Sequence, residues 1–304
     1  MPRRPLGRTG LTLTSLGLGC AALGDMPETF AYTVPEERAL GTLRETFASP
    51  IAYLDTAAAY GDGESERRIG LVLRKLGGLP PGVVLSTKAD RDLRTGDYSG
   101  DQMRRSIERS LRLLGLDRLQ LVFLHDPEYT TFESATAPGG PVEVLQSYKA
   151  QGVIEHLGVA GGPIDLLIRF VEETGAFEAV ITHNRYTLLS RAAEPLIELA
   201  AERGLGVLNA APYGSGLLAK GPKVYPRYEY AEAPSELVSR AGAMAEACEA
   251  YDVPLAAAAL QFSLRDPRIT STIVGMSRPE RVRQTLDLLA VDIPDELWQR
   301  LDQI

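Results

Sequence analysis

The chain has 304 residues, with 40 acidic side chains against 32 basic ones and a formal net charge of −8. That balance excludes the broad basic field that a phosphate backbone or an anionic membrane surface needs, so no nucleic-acid and no membrane partner is expected. With 44% hydrophobic and 24% charged residues, the composition is that of a folded globular chain, long enough to bury a large core without disulfides or structural metal.

Short apolar runs alternate with amphipathic stretches from end to end. SLGLGC at 15–20 predicts a strand, and VPEERALGTLRETFA at 34–48 a helix opened by a proline and paired glutamates. IAYLDT at 51–56 is a second strand, with a helix over 64–76. GVVLSTK at 82–88 is a third, with a helix over 100–114, and LQLVFLH at 119–125 a fourth, with a helix over 140–152. The rhythm then repeats. Strands are expected at 154–160, 177–183, 205–211 and 269–275. Helices are expected at 163–174, 191–203, 235–251, 254–265 and 278–290. The strands are rich in Val, Leu and Ile with little alternation, as parallel strands covered on both faces should be. Eight β–α units with no linker between them predict a single α/β domain over 1–304, a (β/α)8 TIM barrel.

The two cysteines, Cys20 and Cys248, have no metal-ligand or CxxC spacing and are expected to be buried free thiols. Arg3 and Arg4 are followed by no long apolar run, and no stretch approaches the roughly 20 apolar residues of a membrane span, so a cytoplasmic chain is expected, as a monomer or small homo-oligomer. Gly17, Gly19 and Ala22 match a dinucleotide fingerprint by spacing alone. No helix opens there and no acidic strand end follows about 20 residues on, so a tight turn at the barrel mouth is expected instead.

In an α/β barrel, chemistry is built at the C-terminal strand ends. Asp55 closes strand two and Tyr60 follows it; Lys88 closes strand three and His125 strand four. Each has a plain structural reading: a turn cap, a packing aromatic, a solvated charge, a core imidazole. Together, on three successive strand ends, they make a proton-transfer site. A phenol with an ordinary pKa near ~10 is a poor shuttle at neutral pH. An adjacent ammonium favours its phenolate. Asp55 would orient that ammonium, and His125 would hydrogen-bond a substrate oxygen. Only three histidines occur, His125, His156 and His183, without metal-ligand spacing, so no metal is expected. A Schiff-base role for Lys88 would leave Tyr60 and Asp55 without tasks.

YLDTAAAYGDGESERRIG at 53–70, STKAD at 86–90 and SLRLLGLDRLQLVFLHD at 110–126 resemble the aldo-keto reductase family. So do KAQGVIEHLGVAGG at 149–162, APYGSGLLAKG at 211–221 and IVGMSRPERVRQTL at 273–286. The resemblance implies a catalytic tetrad of Asp55, Tyr60, Lys88 and His125, and NAD or NADP bound across the barrel mouth without a Rossmann fold. By position it implies cofactor contacts from Gly19, Ala160, Gly161, His183, Ala210, Gly216 and Leu217. At the adenosine-phosphate end it implies Gly275, Met276, Ser277, Arg278, Arg281, Gln284 and Thr285, while Arg283 is expected to be solvated. The chain departs from the family pattern at Ala160–Gly161, where Ser-Asn is common, at His183, where Gln is common, and at Ala210, where a stacking Tyr is common.

LLAKGPKVYPRYEYAEAP at 217–234 is similar to the aldose 1-dehydrogenase branch, of galactose and fucose dehydrogenase type. It implies a sugar or aldehyde substrate, with aldose oxidised to aldonolactone; reduction of small aldehydes and a nicotinamide-binding sensor are the alternatives. Substrate contacts are expected from Tyr60, His125, Asp126, Tyr129, Tyr213, Tyr225 and Tyr228. Lys220, Lys223, Glu128, Thr130 and Tyr230 lie in the same loops.

Overall fold

A computed structural model describes residues 1–229 and 231–304. Eight parallel strands close into a barrel. They are β1 (Leu16–Gly19), β2 (Tyr53–Asp55), β3 (Val84–Ala89), β4 (Leu119–His125), β5 (Ile154–Gly161), β6 (Ala179–His183), β7 (Gly206–Ala210) and β8 (Ser271–Gly275). Each pairs with the next in sequence, and β8 returns to β1 with Gly275 opposite Gly19. All eight lie where the apolar runs predict them. The helices around them include α1 (Glu36–Ala48), α2 (Glu64–Leu76), α3 (Gly100–Leu114), α4 (Pro141–Ala150), α5 (Ile164–Glu173) and α6 (Glu194–Glu202). After β7 come α7 (Ser235–Glu249) and α8 (Leu255–Arg265), and after β8 α9 (Pro279–Leu289) and α10 (Asp295–Asp302).

Two apolar layers hold the molecule together. The larger lies between sheet and helices. The smaller fills the barrel with Tyr53, Val84, Leu121, Phe123, Ala160, Ala179, Ile181, Leu208 and Ile273. Strand side chains alternate with period two, so the residues two positions beyond these also face inward, at the mouth. Asp55 follows Tyr53, Ser86 and Lys88 follow Val84, His125 follows Phe123, and His183 follows Ile181. The core thus aims the polar residues.

Two features depart from expectation. The first is a hairpin, Arg3–Pro5 against Thr12–Thr14, which brings Leu6 and Leu13 into the inner layer as a floor. Arg4 ties it down by donating to the carbonyls of Leu264, Ile269 and Asp266 at 2.7, 2.6 and 2.9 Å. The second corrects the expected turn at Gly17 and Gly19. Both lie inside β1, and a Cβ on Gly17 would stand 2.5 Å from the Tyr53 ring. That glycine makes room for the neighbouring strand's aromatic. Cys20 and Cys248 are buried and free, as expected. No helix among the described residues is long and apolar enough to cross a membrane.

Candidate active site

Lys88 is the centre of the mouth. An ammonium has three protons to donate, and all three have acceptors: Asp55 Oδ2 at 2.6 Å, the Thr56 carbonyl at 2.8 Å and Tyr60 Oη at 3.2 Å. The Asp55–Lys88 pair is almost wholly buried, at 5% and 3% side-chain exposure. Asp55 Oδ1 accepts from Ser86 Oγ at 2.8 Å, and that hydroxyl also meets Tyr53 Oη at 2.9 Å. The lysine cannot swing away without leaving a carboxylate unpaired in a low-dielectric interior.

Tyr60 reaches this cluster from a loop rather than a strand, and close backbone contact fixes the loop. Gly61 has φ +61, and a Cβ there would overlap the Gly24 carbonyl. Only glycine fits that conformation at that distance. The Tyr60 ring meets His125 edge to face, with centroids 5.7 Å apart.

His125 stands between carboxylates. Its Nδ1 is 2.6 Å from Asp90 Oδ1, and its Nε2 is 3.6 Å from Asp126 Oδ1. Burial pulls its pKa down, but Asp90 and Asp126 more than offset that, so the imidazole titrates above its ordinary range. His183 behaves oppositely. Burial, reinforced by Arg185, His125 and Lys88 and opposed by Asp126, lowers it to about 4. At neutral pH it is an uncharged ring, with its Nδ1 3.2 Å from Asn184 Nδ2.

At the end of β5, Ala160 is buried beside His125, its register partner. A Cβ on Gly161 would stand 2.8 Å from Glu128 Oε2. The Glu128 carboxyl fills the space a larger residue would take, and its Oε1 accepts from the Gly162 N–H at 3.2 Å. Burial, with Asp126 nearby, raises the pKa of this carboxyl. Tyr129 is exposed, with the Arg91 guanidinium 3.4 Å from its ring centroid.

Ala210 ends β7 opposite His183 and Ile273, and Gly19 and Gly275 end their own strands side by side. After β8, Ser277, Arg278 and Arg281 mark the start of α9, while Gln284 is exposed and Thr285 buried one turn further on. Neither Arg278 nor Arg281 pairs with a carboxylate among the described residues, whereas Arg283 pairs with Asp287. Lys220 joins them, its pKa lowered by burial and by the two arginine charges. Tyr213 adds a buried hydroxyl with no hydrogen-bond partner among the described residues, its pKa pushed far up by burial, with Arg281 in its field. Three uncompensated cations and an orphaned hydroxyl at a helix N-terminus suit the phosphates of a dinucleotide.

The loop tyrosines therefore divide. Tyr225 carries Lys220 over its ring at 3.8 Å, packs beside Gly216 ahead of buried Leu217, and belongs with the cation cluster. Tyr228 is buried, and its hydroxyl is committed to the Asn184 carbonyl at 2.7 Å. Tyr230 lies outside the described residues. Three participants were missed from sequence. Tyr32, in the segment after β1, lies in the field of Arg278 and Arg281, and Asn184 follows His183 with φ +57. Asp90 had a signal: it stands two residues beyond Lys88.

Comparison with known proteins gives the family and the fold. The family model described as the aldo/keto reductase family matches residues 15–304. The chain is 35% identical to D-threo-aldose 1-dehydrogenase of Pseudomonas sp, over 96% of this chain and 94% of that protein. It is 32% identical to pyridoxal 4-dehydrogenase of Microbacterium luteolum, over 98% and 96%. It is 30% identical to L-galactose dehydrogenase of Arabidopsis thaliana, over 93% and 86%. An aldo-keto reductase of Bacillus halodurans in its holo form shares the fold, with a TM-score of 0.80 at 22% identity, covering 100% of this chain and 96% of that one. The chain belongs to the aldo/keto reductase family and is an NAD(P)-dependent oxidoreductase.

Proposed function

We propose that the protein oxidises the anomeric carbon of an aldose to an aldonolactone, with Tyr60 as the general acid–base. The observation that carries this is the Lys88 ammonium shared between Asp55, Thr56 and Tyr60. An ammonium 3.2 Å from a phenol oxygen stabilises the phenolate, so Tyr60 can take the proton from the anomeric hydroxyl. His125 holds the same oxygen from the other side through Nε2. Bound NAD(P)+ supplies the hydride acceptor and, when reduced, the donor for the reverse reaction. Ser277, Arg278, Arg281 and Lys220 would hold its phosphates, and Gly161, Gly162 and His183 would lie toward its nicotinamide end. Asp126, beside His125 Nε2, and Tyr129 at the rim would meet the sugar hydroxyls. The three dehydrogenase relatives support this direction, and two of them are named for sugars.

The test is a panel of aldoses with NAD+ and NADP+, run beside pyridoxal and methylglyoxal with both reduced cofactors, read by nicotinamide absorbance. The expected result is fastest turnover on an aldose, falling about 10²–10⁴-fold in Tyr60→Phe while cofactor affinity holds. Faster reduction of a small aldehyde than oxidation of any aldose would replace the substrate assignment. Substantial activity in Tyr60→Phe would remove Tyr60 from the mechanism.

A further inference from the structure

Asp90 is 2% exposed, yet no substrate or cofactor atom is needed to explain where its oxygens point. Oδ1 lies 2.6 Å from His125 Nδ1, and Oδ2 accepts from the Ala59 N–H at 2.8 Å. Ala59 is the residue before Tyr60. One carboxylate therefore ties the His125 ring to the backbone of the loop that carries Tyr60. Asp90 is itself held from α3: its N–H donates to Ser106 Oγ at 3.0 Å, and its carbonyl accepts from Gln102 Nε2 at 3.0 Å.

We propose that Asp90 is a positioning residue of the reaction, locking the Tyr60 loop to the His125 ring and forcing His125 to present Nε2 to the substrate oxygen. The inference rests on Tyr60 and His125 acting at that oxygen. A carboxylate can only accept, so Nδ1 must carry the proton. The neutral ring then has only an Nε2 lone pair, which cannot hold an oxygen whose single proton goes to Tyr60. The charged ring has an Nε2 proton, which donates to the substrate oxygen in both directions. The same side chain thus serves oxidation and reduction while the ring is charged. Without Asp90 the ring would lose that charge at lower pH.

The charges around the pair come from several elements. Asp126 is next in the chain, with Glu128 beyond it. Lys88 approaches from β3, Tyr60 from its loop and His183 from β6. On the far side, Glu66 of α2 and the Tyr98 phenol feel Asp90 directly. Tyr98 also donates to the His125 carbonyl at 2.5 Å. Asp90 holds the His125 Nδ1 at hydrogen-bond distance, 2.6 Å.

With only three histidines in the chain, long-range proton–nitrogen correlation spectra resolve each ring, and His125→Gln assigns the signals. The wild type should show His125 with Nδ1 protonated in the neutral form and a titration above the ordinary range. In Asp90→Asn that titration should fall by about one unit or more. The alkaline limb of kcat/KM, where activity in either direction is lost as the ring loses its charge, should move down by the same amount. Asparagine offers one oxygen where two are used, so kcat should also fall about tenfold with the cofactor Kd unchanged. A neutral ring protonated on Nε2 in the wild type would overturn the proposal even if the variant did not fold. An unmoved limb in a folded Asp90→Asn would overturn it too. Activity in Tyr60→Phe would instead sink the underlying reading, whatever His125 showed.

Discussion

At the exits of β2, β3 and β4 the polar groups have already found one another. At the exits of β7 and β8 they have not. Lys88 has three acceptors, Asp55 a donor on each oxygen, and His125 a carboxylate on Nδ1. Across the mouth, Arg278, Arg281 and Lys220 gather with no carboxylate partner among the described residues, beside a tyrosine hydroxyl that likewise has none there. The first region is organised by the protein for a proton that must move in a fixed geometry, so nothing need rearrange at the moment of reaction. The second is organised for a ligand that brings its own charge. Removing a residue from the first should damage the folded protein itself; removing one from the second should damage only binding.

That difference can be broken at its strongest point with Lys88→Met. The variant leaves Asp55 buried without its cation, a change that costs about 3–5 kcal/mol. Urea denaturation at pH 7 should show it, and the double variant Asp55→Asn/Lys88→Met should recover much of the loss. A cost below about 1 kcal/mol would mean the tetrad is not self-organised in the way described.

Arg281→Ala probes the opposite region. Losing a charge-assisted contact worth about 1.5–3 kcal/mol should weaken NADP binding by roughly 10–100-fold, and the loss should shrink as salt is added. Without ligand, the variant should unfold within about 0.5 kcal/mol of the parent. Fluorescence titration of the reduced cofactor and a thermal melt separate the two. A large drop in stability without cofactor would show that the cations also support the fold.

The smallest effect sharpens the comparison within the organised region. Glu66 of α2 is fully buried behind β3 and accepts from Thr87 Oγ1 at 2.6 Å. Burial raises its pKa from 4.5 to about 7 against that hydrogen bond. Between those values the folded protein keeps a proton that the unfolded chain has released, so stability falls as pH rises across the window. Glu66→Gln should remove that slope, leaving the variant relatively more stable at pH 8 than at pH 5. Parallel stability curves for the two proteins would count against a buried, protonated Glu66.

How much of this was legible in the sequence follows from how local each signal is. The strands announce themselves as apolar runs. Asp55, Lys88 and His125 stand two residues beyond an inward-facing core residue, so alternation alone aims them inward. Tyr60 could be placed from the residue pattern around it. Asp90 shares that alternation with Lys88, but its partner lies 35 positions away, and nothing local marks the pairing. The floor hairpin was hidden for a similar reason: its strands are three residues each, and Arg4 finds its acceptors more than 250 positions downstream. Tyr225 reads as a substrate contact with Lys220 in its loop, but the loop folds both toward the cations of α9. Composition carries no information about which side of the mouth a loop will close on.

The pairing of β8 with β1 has a consequence for how this molecule is made. The barrel's first strand is synthesised early, and its edge finds its last partner only when residues 271–275 have left the ribosome. At about 5–20 residues per second, that interval is on the order of tens of seconds. Throughout it, β1 presents unpaired N–H and C=O groups, the template on which nascent chains associate wrongly. Arg4 waits equally long for the carbonyls of Leu264, Asp266 and Ile269. A nascent chain stalled anywhere before β8 is therefore an open sheet, and this protein's dependence on chaperones should be set by the time spent reaching its final strand.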